Sequence, residues 1–402
     1  MAHTDWKVDD EERRRLTYER SACPREHFAA LRAQGRTAPM WEVDALSLLY
    51  RSDIEYALKN WEDYTSDFGG LMGSSEPLIP INVDPPLHAK YRRLLDPYFG
   101  PRKMKALQPS VDKHTNDLID GFIERGTCDF SEEIAVPLPC VTFLTLFGLP
   151  LDERDALVRW KEIMVGRGTS GLDPEQAQKL QIDTAMEIYA RFGEEMVDRR
   201  KNPRDDLITY LTQVESDGEK LTDSEILRIC FLQLSAGLDT VTISLECIFS
   251  FLVQHDDARR MLIEEPGSEV NLVEELLRWE TPVQAVQRRT TRDFTLEDGT
   301  VIPKGTDVNL MLGSANVDPD GLPGADVVDV RRGDMRNYAF GAGPHRCLGS
   351  NLARMELRTV VRAWHDRIPD YSLQPGADLI WNSSPLRGVD HLPLVWPAGG
   401  TA

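Results

Sequence analysis

Cysteine is scarce in this 402-residue chain: Cys23, Cys128, Cys140, Cys230, Cys247 and Cys347 are scattered, and no two form a CxxC pair. A structural zinc site built on paired cysteines is therefore not expected. A disulfide framework is not expected either, because the chain shows no export signal. The first thirty residues lack an apolar run and carry Asp9, Asp10, Glu11, Glu12, Arg13, Arg14 and Arg15 instead. No signal peptide or membrane anchor is expected there, and the reading is cytoplasmic. Excess positive charge is missing as well. A formal net charge of −20 argues against general nucleic-acid binding, which needs a basic footprint. Internal repeats, low-complexity linkers and charge blocks are also absent. With 41% hydrophobic residues, one large core and a single domain over 1–402 are expected.

What is present is mostly helical. Thr222 and Glu225 have the spacing of a capping box, in which each side chain satisfies a free N–H of the first turn. From there a helix can run without proline to about residue 254, a length on the order of 48 Å. It is apolar on nearly all faces, with Ile226, Ile229, Leu234, Ile243, Ile248 and Leu252 among its residues, which places it inside the protein. A membrane span is the competing reading, but Arg228, Asp239 and Glu246 interrupt it. Strand signals are few. Asp298 and Gly299 predict a hairpin over 294–302, Lys304 and Gly305 a turn before a strand at 308–311, and residues 40–50 and 392–396 further strands. The fold class expected is mainly α with small peripheral β-sheets.

The most informative segment is residues 340–349: Phe340, Gly341, Ala342, Gly343, Pro344, His345, Arg346, Cys347, Leu348 and Gly349. Its glycines and proline rule out a regular helix or strand, and they let the backbone pass close to a flat or bulky group. A helix pattern follows at once, with Leu357, Val360, Val361 and Trp364 at i, i+3, i+4 and i+7. Cys347 is thus placed at a helix N-terminus, where the dipole and free N–H groups favour a thiolate. A single thiolate suits an iron whose other positions are supplied by a porphyrin, and it pushes electron density that promotes O–O cleavage.

The segment resembles the haem-binding loop of bacterial cytochromes P450, F-G-x-G-x-H-x-C-x-G, with Phe340, Gly341, Gly343, His345, Cys347 and Gly349 at the fixed positions. The likeness spans nearly the whole chain, and the closing stretch 367–396 resembles the camphor-hydroxylase branch. It implies the cytochrome P450 fold, a triangular helix-rich prism with a long central helix over haem b (iron protoporphyrin IX). Cys347 would be the iron ligand.

Three further constellations accompany the loop. Glu275 and Arg278 form E-x-x-R, on one face of a helix. The resemblance implies a buried structural pair that holds the chain leading to the Cys347 loop and takes no part in the chemistry. Ala236, Gly237, Leu238, Asp239 and Thr240 break the apolar helix with residues poor for helix stability. Thr240 can bond back to a carbonyl or to an inserted water and open the helix locally. These residues match the family's oxygen-binding A-G-x-D-T pattern. The match implies that Asp239 and Thr240 are the catalytic, proton-delivering pair, with Ala236 and Gly237 against the haem. His88 and Arg92 stand at i, i+4, and Arg288 is a third cation. The resemblance implies that these and His345 hold the two haem propionates, which need cationic or hydrogen-bonding partners when buried.

The activity implied is reductive activation of dioxygen opposite Cys347, with protons from Asp239 and Thr240, and hydroxylation of a C–H bond held nearby. Electrons would come from a separate ferredoxin fed by a ferredoxin reductase. A basic run of Lys90, Arg92, Arg93, Arg102, Lys103 and Lys105, together with Arg346 and Arg354, suits an acidic partner of that kind. A monomer is expected. The substrate pocket is expected from the loop 68–79, including Leu78, and from Leu232, Ser235 and Ala236. Residues 283–286, including Val283 and Val286, and Leu386 and Arg387 should complete it. Most of these are apolar, so a lipophilic small molecule such as a terpenoid, steroid or fatty acyl compound is expected. Arg387 either reads a carboxylate or other polar group on that molecule or points to solvent. Three rival readings stand beside this one. Another oxidation, such as epoxidation or dealkylation, would use the same parts. A peroxide-driven member would lack the Asp239–Thr240 pair. A non-catalytic haem sensor would need no proton relay and would carry an output domain.

Overall fold

The computed structural model describes residues 24–39, 45–68, 76–216, 218–333, 336–382 and 386–397. Cys23, part of the candidate strand at 40–50 and part of the loop 68–79 lie outside them. The capping box forms as the sequence predicts: Thr222 Oγ1 accepts the Glu225 N–H at 3.2 Å, and Glu225 Oε2 accepts the Thr222 N–H at 2.7 Å. The helix it starts runs over Asp223–Leu252. It is long and apolar enough to cross a membrane, yet its side chains are packed by the protein itself. The helices Pro137–Phe147, Glu269–Glu280 and Ser350–Arg367 all contact it. Phe249 stacks on Phe130 at 3.9 Å and meets Trp364 edge-on at 5.4 Å. Trp364 is fully buried on the helix that follows the Cys347 loop. Aromatic groups of this size carry much of the apolar burial that holds such a core. The local opening expected at Thr240 does not occur. Thr240 Oγ1 bonds back to the Ala236 carbonyl at 3.0 Å while the segment stays α-helical.

The strands lie at the periphery. The largest sheet has the order Thr37–Pro39, Leu46–Leu48, Asp307–Leu310, Val286–Thr290, Tyr64–Thr65. Its third strand runs parallel to the second and antiparallel to the fourth. The predicted hairpin pairs Phe294–Thr295 with Val301–Ile302, and Gly299 takes the positive φ of +86° that its turn requires. A smaller sheet joins Ser372–Leu373, Pro393–Val395 and Thr127–Asp129.

Glu275 and Arg278 are both buried and joined by two hydrogen bonds of 2.9 and 2.7 Å. Arg278 also donates to the carbonyls of Asn316 and Ala325, and Glu275 accepts the Asp329 N–H at 2.8 Å. The Asn316 side chain in turn accepts the Tyr338 N–H at 2.7 Å. The pair is therefore a hub that fixes the irregular chain leading to residue 340.

Candidate active site

The loop carrying Cys347 folds back on itself. The Cys347 N–H donates to the Phe340 carbonyl at 2.9 Å, and the Gly341 N–H to Tyr338 at 2.8 Å. Gly341 and Gly343 have φ of +63° and +67°, which a residue with a side chain adopts only with strain. At Gly343 a side chain is also blocked in space, since a Cβ would lie 2.1 Å from the Leu58 carbonyl oxygen. At Gly237, Gly341 and Gly349 a Cβ would meet nothing within 4 Å, and all three border an internal cavity of about 300 Å³.

Cys347 lines this cavity and its side chain is exposed to it. Burial pushes its thiol up, against the Gly349 N–H, which donates to the sulfur, and against the positive charges of Arg92, Arg354 and Arg346.

One rim of the cavity is cationic. Arg288 is buried and pushed down to about 10 by that burial. Its one hydrogen bond among the described residues goes to the Gln287 carbonyl. The His88 and His345 rings lie 4.2 Å apart. Burial and then the charge of His345 push His88 down to about 4. His345 Nε2 is buried without a hydrogen-bond partner, 3.5 Å from Asp84 Oδ1. Arg92 braces the loop itself, donating to the Arg346 carbonyl at 2.6 Å and to the Pro344 carbonyl at 3.3 Å.

The central helix forms the opposite wall with Leu232, Ala236, Gly237 and Thr240, and Val283 and Val286 continue it. Asp239 does not line the cavity. It is buried on another side of the helix, where Oδ1 pairs with Arg167 and lies 3.4 Å from Lys161 Nζ. Four other residues expected at the wall, Leu78, Ser235, Leu386 and Arg387, are not among those that line the cavity. Leu78 is packed in the main core. The Ser235 hydroxyl bonds back to the Phe231 carbonyl. Leu386 bridges to Val283. Arg387 is corrected outright: it is 2% exposed, ion-paired with Glu280 and stacked 3.6 Å over the Trp381 ring. A guanidinium so engaged faces neither substrate nor solvent. The sequence reading missed Thr142, Ser244 and Glu356, which do line the cavity. Glu356 carried a signal, as a carboxylate between Leu352 and Val360 on an apolar helix face. Burial pushes it up to about 8.

Comparison with known proteins settles the family. The family model for Cytochrome P450 matches residues 171–363. The probable cytochrome P450 127A1 of Sinorhizobium fredii is 32% identical over 84% of this chain and 79% of that protein. The chain belongs to the cytochrome P450 family. A steroid C26-monooxygenase of Mycolicibacterium smegmatis is 32% identical over 88% of this P450 and 87% of its own length. The crystal structure of CYP109E1 from Bacillus megaterium in complex with corticosterone superposes with a TM-score of 0.86 at 27% identity. That superposition covers 94% of this chain and 99% of that one. This P450 is thus a haem-dependent monooxygenase, and haem b is its cofactor. The site suits that group on its own evidence. A flat macrocycle needs side-chain-free backbone on both faces, which Gly237 and Gly349 provide. Its carboxylates need partners, which under-bonded Arg288 and the orphaned His345 nitrogen supply.

Proposed function

We propose that this P450 hydroxylates a lipophilic small molecule of steroid or polyketide type, with Cys347 as the iron ligand and a separate ferredoxin as electron donor. The observation that carries the substrate class is the apolar wall beside Thr240, made by Leu232, Ala236, Val283 and Val286. Apolar walls with few polar groups bind by excluding water from apolar surface. The steroid and polyketide classes are those named for relatives, a steroid C26-monooxygenase and the polyketide-biosynthesis P450 PksS of Bacillus subtilis.

When bound, haem supplies the activation of dioxygen and the abstraction of hydrogen from carbon. The chain's own residues do the rest. Cys347 gives its thiolate, and Arg288, His345, His88 and Arg92 hold the carboxylates of the group. Thr240 presents its hydroxyl at the cavity surface, where it orients water. Asp239 carries protons inward from the Arg167 side, which means letting go of Arg167 and Lys161 and turning toward the cavity. Electrons enter from the Cys347 side, where Arg93, Lys103 and Arg346 lie on or next to the elements that brace the loop.

Optical titration of the haem-loaded enzyme with steroids, macrolactones and fatty acids tests the substrate class. A shift of the haem absorption band on adding one of these groups is expected. Binding of small polar compounds alone would overturn it. Ferredoxin-supported reduction should slow as ionic strength rises, and further in R93E and K103E. A rate indifferent to both would reject a basic docking face.

A further inference from the structure

We infer that Asp129, Glu132 and His391 form a binding site for a divalent transition-metal ion, outside the haem cavity. They come from two pieces of chain, residues 129–132 and His391, brought together by the smaller sheet. Asp129 ends the strand Thr127–Asp129, Glu132 lies on the single π-turn Ser131–Ala135, and His391 precedes the strand Pro393–Val395, which pairs with the first.

The donor atoms already converge. His391 Nδ1 is hydrogen-bonded to Asp129 Oδ2 at 2.8 Å, a contact an ion would replace, and lies 3.7 Å from Glu132 Oε1; the three atoms are all within 4.8 Å of one another. Two ligands about 2.1 Å from a tetrahedral ion sit roughly 3.4 Å apart, so the observed separations straddle what such an ion needs. One imidazole with two carboxylates is a borderline donor set that takes zinc or manganese and leaves a position open to water.

The surroundings orient and bias the set. The other oxygen of Asp129 accepts the N–H groups of Ser131 at 3.0 Å and Leu392 at 3.1 Å, which turns Oδ2 toward His391. Hydrogen bonds of this kind to a ligand's other oxygen hold the ligand in place. Among the described residues, neither Asp129 nor Glu132 is paired with a lysine or arginine. Glu132 and His391 line a broad surface cleft of about 1260 Å³ that gives a cation an entry path; its acids Glu133 and Asp390 are offset by Arg154 and Arg167 on the same cleft and by Arg125, which pairs with Glu133. The same cleft is bordered by Ser131, which is 2% exposed and whose hydroxyl has no hydrogen-bond partner. A buried hydroxyl left unbonded costs free energy, and a water completing the ion's coordination would satisfy it. An ion here would tie the C-terminal strand to residues 262 positions earlier in the chain.

The test uses the haem-loaded enzyme and zinc chloride. Calorimetric titration should show one zinc per chain, at least tenfold weaker in H391A and in E132Q, both at exposed positions where folding is little affected. The melting temperature should rise with zinc concentration in the wild type and not in H391A, since a ligand that binds only the folded state stabilises it by mass action. E124Q, at another exposed acid, should match the wild type. Wild-type affinity in H391A, or no zinc uptake by the wild-type enzyme, would overturn the assignment.

Discussion

Asp239 and Thr240 are adjacent in sequence, yet only Thr240 reaches the haem cavity, while the Asp239 carboxylate is held on another side of the helix by Arg167 and Lys161. The two therefore have separable roles, one at the cavity surface and one at the supply side of the proton path. In T240A, NADH consumption should continue while product per NADH falls severalfold and peroxide rises. In D239N both should slow together, by at least tenfold, at the low end of what general acid–base groups contribute, about 10²–10⁴-fold. Parallel assays of NADH, product and peroxide check this. Unchanged coupling in T240A would remove that hydroxyl from the reaction.

Cys347 and Arg288 should also separate. C347S should lose the strongly red-shifted ferrous–CO band that a thiolate ligand would give the haem. R288Q should keep the band but release haem faster, by about 10- to 100-fold, since a hydrogen bond to a charged group contributes about 1.5–3 kcal/mol. Spectra of the CO forms and haem-transfer rates to a scavenger decide both. Retention of the band in C347S would show that the iron ligand is another residue.

Arg387 is a buried partner of Glu280, so its role is in stability. R387M should destabilise the protein in urea unfolding by less than the about 3–5 kcal/mol of a wholly unpaired buried charge, because Arg25 stays 3.6 Å from Glu280. Substrate-like acids and their methyl esters should bind the wild type with equal affinity. A tenfold preference for the acids would mean that a cation does reach the pocket.

Glu246 is buried on the central helix and pushed up to about 8 by that burial and by the nearby charge of Asp239, against an ordinary value of 4.5. In the folded state it holds its proton across a range where the unfolded chain has lost it. Its contribution to stability is thus complete below about pH 4.5 and is lost as pH rises to about 8, at up to about 1.4 kcal/mol per pH unit. E246Q should flatten the pH dependence of the melting temperature between pH 5 and 8. Equal slopes in the two proteins would show that Glu246 is charged in the folded state.

Local relationships were legible in the sequence alone. The capping box at Thr222, the Asp298–Gly299 hairpin, the E-x-x-R spacing and the glycine pattern around Cys347 all act within a few residues. In each of them backbone sterics and helix periodicity dictate the outcome. Those features were enough to indicate the fold class, the thiolate loop and the direction of the chemistry. The tertiary structure alone decided which way polar side chains point. Asp239 finds Arg167 across 72 positions, and Arg387 finds Glu280 across 107. A buried charge turns to whichever opposite charge the packed helices bring within reach, because leaving it unpaired costs more than any local preference. That choice is made by the assembled core, so it carries no local signature in the chain.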